Sequence, residues 1–484
     1  MKLNKAFILG VLPLPAIAAG KPATPQKPNV LFIVTDDHST PHVGCYNNPD
    51  IKTPNLDKFA SEGMLFWRGY VTCPQSAPSR TSIVTGRSPV STMSARFGAP
   101  LHKSVTIYPE YLIKEAGYYA GICGRVHHLD SQGAPAKHVE PFIAQYFEEH
   151  NLNTAESRLQ YVKTAPSDKK GGQELMLAQF YEFMEVRDKK KPFWLQFNFV
   201  DPHRAYTAPK VHDPNALTLP YHYPDTKGVR EDFAAYYDEI HRADQTFAQA
   251  MEYLDKNGLK ENTIVIFLGD NGAAQFRGKG TLYEYGINVP LIVRWPGVVK
   301  PGGVCHEVIS MEDLAPTVME AAGLSPKPDM TGISFLSILK GNPAPTRKYA
   351  FAERGPHADF APTEYNDGFD QSRVIVSKDY KLIFNCQPGL QYAPVDFFKR
   401  PFYQELIKMN AQGELDEKFV NFYFYEPPRP LFELYDLSKD PFEEKNVAAD
   451  EAYSEVKEKM IQELTLWMIQ ERDHLPLPCR LFKQ

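Results

Sequence analysis

The feature that most constrains the fold of this chain is a repeated order of short apolar runs and helix-like segments. The stretches 29–35 (NVLFIVT) and 263–268 (TIVIFL) are continuous apolar, β-branched runs, as expected of strands that are buried on both faces. Between them, 231–257 carries apolar residues near helical spacing. Strands that alternate with helices predict an α/β fold, with a large, mostly parallel sheet flanked by helices on both faces.

Further segments continue this order and divide the chain in two. The same patterns predict strands at 118–123, 193–200 and 289–294, and helices at 54–63, 78–85, 107–116, 175–187 and 311–322. Proline and glycine near 340–347 indicate a boundary, and beyond it we expect strands at 374–376, 381–384 and 432–437 and a helix at 453–471. We therefore predict a larger domain over 28–340 and a smaller C-terminal sheet-plus-helix (α+β) domain over 341–484.

The first residues have the pattern of a secretory signal. Lys2 and Lys5 give a positive start, and the apolar stretch 6–17 is too short to span a bilayer. Small residues at 16–18 suit cleavage, whereas prolines within the apolar stretch argue against a buried helix. We predict a signal peptide over 1–19 and a bacterial protein exported to the periplasm or secreted, without a membrane anchor.

Charge and cysteine content exclude some classes of function. The net charge of −6 offers no basic footprint for nucleic acid, so a polyanionic substrate would be held by local cations. The six cysteines include no CxxC pair, which argues against a zinc cage. An exported protein can form disulfides, but the sequence leaves their pairing open.

Polar residues follow the two clearest predicted strands. Asp36-Asp37 comes after the first strand and Asp270-Asn271 after the second. Active groups of open α/β sheets gather beyond the carboxyl ends of strands, and carboxylate and amide oxygens suit Ca²⁺ or Mg²⁺. Each pair alone more often marks a turn or a helix cap than a binding site.

A longer motif changes that balance. Ser76-Ala77-Pro78-Ser79-Arg80, followed by Thr85-Gly86-Arg87, resembles the signature of the sulfatases, in which a Cys or Ser at the first position is oxidised to formylglycine (3-oxoalanine). From residue 29 onward the chain is similar to the type I sulfatases of the alkaline-phosphatase-like superfamily, in their Ser form. The motifs that match in order are Asp36-Asp37, the Ser76 motif, Gly124-x-x-His127, His203, Asp270-Asn271 and Lys279. Within the family, Tyr46-Asn47-Asn48, Asp201-Pro202-His203-Arg204 and Phe432-Glu433-Leu434-Tyr435-Asp436 most resemble the heparan N-sulfatases.

The resemblance implies a role for each matching residue. Ser76 would become the formylglycine, and a Ca²⁺ would be held by Asp36, Asp37, Asp270, Asn271 and an oxygen of residue 76. Arg80 would support the hydrated aldehyde, and the groups around the sulfate would be Arg125, His127, His203 and Lys279. One hydroxyl of the hydrated aldehyde would attack sulfur with Asp270 as base, and His203 with Lys279 would assist the leaving group. His127 would then help to break the sulfate ester formed on residue 76.

The implied activity is removal of sulfate from a glycosaminoglycan or another sulfated saccharide, with the N-sulfate of heparan glucosamine as first choice. An O-sulfatase, a phosphonate or phosphate ester hydrolase and a non-catalytic glycan-binding relic stay open as alternatives. Arg125 stands where the family usually has Lys; it keeps the positive charge but presents a planar fork, which implies a different geometry at the sulfate. Sugar contacts are expected at His38, Asp201, Arg204 and His357, each with the alternative of a solvated loop residue. The expected partners are the saccharide and a sulfatase-maturing enzyme that acts before export; a homodimer is left open.

Overall fold

The structure is a computed structural model that describes residues 27–94, 101–102, 104–125, 145, 149–150, 158–164, 172–342, 347–356, 369–390, 392, 395–424 and 428–479. The signal peptide predicted over 1–19 lies outside these residues. No helix among them is both long enough and apolar enough to cross a membrane.

The main architectural element of the described chain is an eight-stranded sheet. Its strands are β1 (Asn29–Thr35), β2 (Met64–Phe66), β4 (Tyr119–Gly124), β5 (Tyr161–Thr164), β6 (Phe193–Asn198), β7 (Thr263–Gly269), β8 (Leu291–Arg294) and β9 (Gly303–Cys305). They lie in the order β5-β4-β6-β1-β7-β8-β2-β9. Neighbouring strands are parallel except that β8 runs antiparallel to both β7 and β2. The sheet is therefore mostly parallel, as predicted.

Helices surround this sheet and lie against the C-terminal region. The helices of the described residues are α1 (Pro54–Glu62), α2 (Ser76–Thr85), α3 (Tyr108–Ala116), α4 (Gly172–Val186), α5 (Lys227–Lys256), α6 (Glu284–Ile287), α7 (Leu314–Ala321), α8 (Leu336–Leu339), α9 (Pro401–Gln412), α10 (Glu417–Tyr423) and α11 (Ser454–Gln470).

Side chains alternate across β1 and bury both faces of the sheet. Val30 and Phe32 join a core that includes residues of α2, α3 and α7. Leu31 and Ile33 face the opposite way and join a second core with α1, α4 and α5. Because both faces are covered, β1 is apolar at nearly every position, which is the pattern that makes such a strand recognisable in a sequence.

A second, smaller sheet lies in the C-terminal region. Its four antiparallel strands are β11 (Ala350–Arg354), β12 (Ser372–Val376), β13 (Tyr380–Asn385) and β14 (Phe432–Asp436). Leu464 and Met468 of α11 pack on it. A two-stranded parallel pair, β3 (Gly69–Tyr70) with β10 (Ile309–Ser310), completes the sheets. The boundary expected at 341 falls between α8 and β11, and we keep it as the proposed division.

The α/β fold with a smaller α+β region is confirmed, whereas several short elements were not predicted. These are β2, β3, β5, β9, β10, β11, α6, α8, α9 and α10. Most are two to five residues long, too short for a period to be legible. The helix α9 matters most, because Phe402 and Leu406 join a core with Phe233 and Tyr237 of α5 and so bring the C-terminal region against the larger one.

Candidate active site

The two polar pairs of the sequence, Asp36-Asp37 and Asp270-Asn271, meet at the carboxyl edge of the large sheet. β1 and β7 are parallel neighbours, and Thr35 is paired with Gly269, so the residues that follow the two strands are adjacent. The backbone NH of Asp37 donates to Asp270 Oδ1 at 3.0 Å. Asn271 Nδ2 donates to Asp37 Oδ1 at 2.8 Å. The register of the sheet alone thus assembles a cluster of oxygen atoms.

The charges in this cluster fit a bound cation. Asp36, Asp37 and Asp270 are fully buried. Burial raises the pKa of Asp37 to about 7, opposed by Lys279 and supported by the neighbouring carboxylates. Burial likewise raises the pKa of Asp270, opposed mainly by Arg80. Such repulsion among desolvated carboxylates is relieved by a cation, and carboxylate and amide oxygens are the donors that hard divalent ions take.

The geometry also brings one imidazole to the cluster. Ligand atoms of Asp36, Asp37 and His203 all lie within 4.8 Å of one another. The residues present therefore fit a divalent metal ion, with oxygen donors available from the residues that follow β1 and β7.

Ser76 lies beside this cluster at the first residue of α2. Its Oγ donates to Asn271 Oδ1 at 2.8 Å and lies 3.3 Å from Asp36 Oδ1. Only 1% of the residue is exposed. The N-terminus of a helix also carries free backbone NH groups that favour an anion.

The segment before Ser76 is held from two directions. Gly280 donates its backbone NH to the Pro74 carbonyl at 2.9 Å. From the C-terminal region, the Glu353 NH donates to the Thr72 carbonyl at 2.9 Å, and Gln75 Nε2 donates to the Gly355 carbonyl at 2.9 Å. Backbone from the β7 side and from β11 therefore positions the start of α2.

Arg80, one turn into α2, joins the carboxylates to a neighbouring strand. Its Nε donates to Asp270 Oδ2 at 2.8 Å, and its Nη2 to Asp36 Oδ2 at 3.3 Å. Its Nη1 donates to Asn198 Oδ1 at 2.5 Å. Asn198 was not predicted as a site residue. The sequence did contain a signal for it, namely a polar side chain in the buried strand FWLQFN. A polar group in such a strand is costly unless it has a hydrogen-bond partner, so its presence there indicates one.

Arg125 approaches the same cluster from the end of β4. Its Nε lies 3.1 Å from Asp36 Oδ2. Gly124 permits this approach, because its φ is +82° and a Cβ there would lie 1.9 Å from the Asn198 carbonyl oxygen. His127, the next predicted site residue, lies outside the described residues.

Lys279 and His203 lie on the other side of Asp37. Lys279 Nζ is 2.9 Å from Asp37 Oδ1. The same Nζ donates to Asp396 Oδ2 at 2.6 Å. His203 Nε2 lies 3.7 Å from both Asp37 Oδ2 and Asp396 Oδ2. Asp396 was not predicted, because it lies in a short aromatic segment with no motif around it.

The structure thus brings together nine predicted site residues and leaves others apart. The nine are Asp36, Asp37, Ser76, Arg80, Arg125, His203, Asp270, Asn271 and Lys279. Of the four expected sugar contacts, His357 lies outside the described residues.

His38 does not have the position expected of a sugar contact. It is fully buried, and its ring nitrogens lie 3.1 Å from Thr35 Oγ1 and 3.0 Å from the His42 carbonyl oxygen. Burial lowers the pKa of His38 to about 4. The expectation that His38 contacts a sugar is therefore wrong, because its ring is buried and bonded within the protein.

Asp201 and Arg204 are also engaged within the protein. Arg242 donates to both oxygens of Asp201 at 2.8 Å. Arg204 donates to Asp232 at 2.7 and 2.5 Å, and both Asp201 and Arg204 are buried. Each forms a forked ion pair with another element, which corrects the expectation of a solvent-facing sugar contact and indicates a structural role.

Comparisons with known proteins identify the family to which the chain is similar. The Sulfatase family model matches residues 28–324, and the model "N-sulphoglucosamine sulphohydrolase, C-terminal" matches 272–412. An ulvan-active sulfatase of Formosa agariphila is 28% identical over 462 residues, covering 94% of this chain and 82% of that protein. Human N-sulphoglucosamine sulphohydrolase is 28% identical over 499 residues, covering 93% of this chain and 91% of that protein.

Solved structures share the fold at lower identity. One is a complex with its substrate D-glucosamine-2-N,6-O-disulfate; it has a TM-score of 0.68 and 19% identity, and covers 94% of this chain and 100% of that one. Another is the phosphonate monoester hydrolase of Silicibacter pomeroyi, with a TM-score of 0.69 and 18% identity over 92% and 96% of the two chains. The family model covers more than half of the sequence and contains the β1 and β7 acids together with the Ser76 motif; the chain belongs to the sulfatase family.

Proposed function

We propose that the bond hydrolysed by this sulfatase is the N-sulfate of a glucosamine residue in heparan-type saccharides. The observation that carries the proposal is the match of residues 272–412 to the C-terminal model of N-sulphoglucosamine sulphohydrolase, because that stretch includes Lys279 and Asp396 at the site. The human enzyme of that name supports it along most of the chain.

Sulfatases generally use a formylglycine and a metal ion, and we propose Ser76 and Ca²⁺ for these roles here. When present, the hydrated aldehyde supplies an attacking oxygen that the ion makes more acidic. Asp36, Asp37, Asp270 and Asn271 would hold the ion, consistent with their shared oxygen cluster. Asp270, which also forms an ion pair with Arg80, would accept the proton of the attacking hydroxyl.

The fixed cations would stabilise charge on the transferring sulfuryl group. Arg80 and Lys279 are buried and held by carboxylates, so they need no rearrangement during the reaction. Preorganised charge in a dry site is usually the largest catalytic contribution. Arg125 would add a third cation at the end of β4.

His203 is the group we propose for proton transfer to the departing nitrogen. Its side chain is 20% exposed, in contrast to the buried acids, which leaves the ring accessible to a saccharide from solvent. By the family resemblance His127 would serve as the base of the second half-reaction. We further propose export to the periplasm or outside the cell, after a maturing enzyme has acted on Ser76.

A second candidate function is hydrolysis of phosphonate or phosphate esters, which the fold shared with a phosphonate monoester hydrolase favours. Phosphate and sulfate have the same tetrahedral shape but differ in charge. An O-sulfatase acting on another sugar is the nearer alternative, since ulvan-active sulfatases also resemble the chain.

Parallel rate measurements test the proposal. Protein from a host that contains a sulfatase-maturing enzyme is assayed with N-sulfoglucosamine, glucosamine 6-O-sulfate, 4-nitrophenyl sulfate and an aryl phosphonate, with Ser76→Ala as the inactive control. We expect the highest kcat/KM on N-sulfoglucosamine, and a loss of about 2 Da from the peptide that contains Ser76, as oxidation of the hydroxyl to an aldehyde requires. A preference for an O-sulfate or the phosphonate would contradict the choice of bond, and an unmodified but active Ser76 would contradict the route.

A further inference from the structure

Asp396 is a carboxylate at the site that none of the family motifs contains. It lies between β13 and α9, and its φ of +66° places it in the left-handed region, which Asp and Asn tolerate better than most residues. Its Oδ2 accepts from Lys279 Nζ at 2.6 Å. The side chain is 19% exposed, whereas those of Asp37 and Lys279 are 1% and 3% exposed.

The position of Asp396 relative to His203 identifies the part of a substrate that it would meet. His203 Nε2 lies 3.7 Å from Asp396 Oδ2 and 3.7 Å from Asp37 Oδ2, so the imidazole is between the metal-site acid and Asp396. The group that His203 protonates must come within hydrogen-bond distance of Nε2. A leaving group within reach of Nε2 would therefore also lie close to Asp396, whose side chain is partly exposed.

A negative charge at this point disfavours a sulfate but suits one kind of leaving group. Lys279 and the protonated His203 are two cations beside two carboxylates, Asp37 and Asp396, so these four side chains together become negative once His203 has given its proton to the leaving group. A carboxylate attracts a cation and repels an anion at this range, and it accepts hydrogen bonds from N–H and O–H groups. The charge is best matched by a leaving atom that becomes positive.

Cleavage of a sulfamate produces such an atom. In R–NH–SO₃⁻ + H₂O → R–NH₃⁺ + SO₄²⁻, an O–S bond forms and the S–N bond breaks, with its electron pair going to nitrogen. Nitrogen takes one proton from His203 to give an amine and a second proton from water to become an ammonium group. The two hydrogens of the water consumed in the net reaction account for this second proton and for the one that restores His203. An O-sulfate instead leaves a neutral hydroxyl, to which a carboxylate offers a hydrogen bond but no matching charge.

We propose that Asp396 is a specificity-determining residue that binds the amine of the leaving glucosamine and favours N-sulfated over O-sulfated substrates. The inference rests on the proposed function, because it names the part of the substrate that Asp396 meets at that same site. Its alternative is a positioning role, in which Asp396 only holds Lys279.

The test compares Asp396→Asn with wild type on two substrates. Asn keeps the size and the tolerance of a positive φ while removing the charge. We expect kcat/KM on N-sulfoglucosamine to fall about 10- to 100-fold, the range for a charged hydrogen bond of 1.5–3 kcal/mol, and kcat/KM on 4-nitrophenyl sulfate to change less than about 3-fold. Asp379→Asn, the same change at an exposed site of the C-terminal sheet, should leave both values unchanged.

A binding measurement separates recognition from catalysis. Inhibition by glucosamine, which carries the ammonium, should weaken about 10-fold in Asp396→Asn, whereas inhibition by N-acetylglucosamine should not change. Asp396→Glu, which keeps the charge, should retain more of the preference for the N-sulfate than Asp396→Asn. Thermal unfolding of each variant verifies that it is folded.

Three outcomes distinguish the role of Asp396 from the proposed function. Equal losses on both substrates, or unchanged inhibition by glucosamine, overturn the role of Asp396 and leave the proposed function standing. A wild-type enzyme that cleaves 4-nitrophenyl sulfate but not N-sulfoglucosamine overturns the proposed bond, and the role of Asp396 with it. Selective loss on N-sulfoglucosamine together with weaker glucosamine inhibition supports both.

Discussion

The large sheet and the C-terminal region contribute to the same site in different ways. Asp36, Asp37 and Asp270 follow strands of the large sheet and are fully buried. Asp396 comes from the C-terminal region, and its side chain is 19% exposed. Groups that would act on the sulfuryl centre are thus desolvated and held in place, whereas the group nearest the leaving saccharide lies at the edge of solvent. The residues proposed for catalysis and the residue proposed for substrate selection are therefore far apart in the sequence but close together in the structure.

The largest expected effect is on the large-sheet side. Ser76→Ala should lower kcat on the order of 10⁶-fold, as removal of a covalent nucleophile does in other hydrolases. Single-turnover and steady-state rates on 4-nitrophenyl sulfate measure it, and an unchanged thermal unfolding profile serves as the control. Substantial residual turnover would mean that the sheet side does not supply a covalent nucleophile.

Replacement of an acidic residue of the cluster should lower both the affinity for Ca²⁺ and the turnover rate. Asp270→Ala deletes one anionic ligand and leaves Arg80 without its 2.8 Å partner. We expect Ca²⁺ affinity to fall at least about 100-fold, since even outer partners of metal ligands cost 10–100-fold, and turnover to be abolished. Calorimetric titration of Ca²⁺ into both proteins checks this, and equal affinities would rule out Asp270 as a ligand.

His203 stands between the two regions, so its loss should depend on the leaving group. His203→Ala should lower kcat/KM on N-sulfoglucosamine by about 10²–10⁴-fold, the usual contribution of a general acid. A nitrophenolate leaves without help, so the loss on 4-nitrophenyl sulfate should be much smaller. Equal losses on the two substrates would show that His203 acts on the sulfuryl side instead.

Arg204 tests whether a charged residue beside the site is structural. Arg204→Ala leaves Asp232 without its forked partner, and breaking a buried ion pair costs about 3–5 kcal/mol, less here because Asp232 is 12% exposed. Chemical denaturation measures the loss of stability. The KM of the remaining folded enzyme should be unchanged. If Arg204 contacted the sugar, its replacement would raise the KM.

The smallest effect is expected at the junction of the two regions, where Glu353 of β11 meets Thr72. Burial raises the pKa of Glu353 to about 8, opposed by Arg373 and supported by Asp473 and Glu471. The folded protein therefore keeps this proton at pH values where the unfolded chain, near the ordinary value of 4.5, has lost it.

The contribution of Glu353 to stability is thus complete below about pH 4.5 and is lost as the pH rises through about 8. Glu353→Gln should remove this dependence, so that the variant gains about 1 kcal/mol or more relative to wild type between pH 5 and pH 8. Denaturation at both pH values measures the difference. A constant difference would show that Glu353 is ionised in the folded protein.

The sequence predicted the large-sheet half of the site because local signals and sheet register suffice there. A buried parallel strand is apolar along its length, so the polar pair that follows it is conspicuous, as Asp36-Asp37 and Asp270-Asn271 are. Once the strands are neighbours, those side chains must meet.

Other residues escaped prediction for physical reasons. Asp396 reaches Lys279 only because α9 docks on α5, a long-range packing arrangement with no local signature. Arg204 was expected to meet a sugar because it adjoins His203, but its charge is satisfied by Asp232, 28 positions away. Which charges pair with each other is decided by tertiary structure, and a single sequence does not display it.

The hydrogen bonds that hold 72–75 have a consequence for how such enzymes are inherited and engineered. Backbone groups of Gly280, Glu353 and Gly355 form hydrogen bonds with the segment before Ser76. Two of these three residues belong to the C-terminal region, which therefore helps to position Ser76. In a chimera that joins the first half of one relative to the second half of another, these hydrogen bonds would be lost or displaced unless 72–75 and β11 come from the same relative. We therefore expect the two halves to function only as a matched pair.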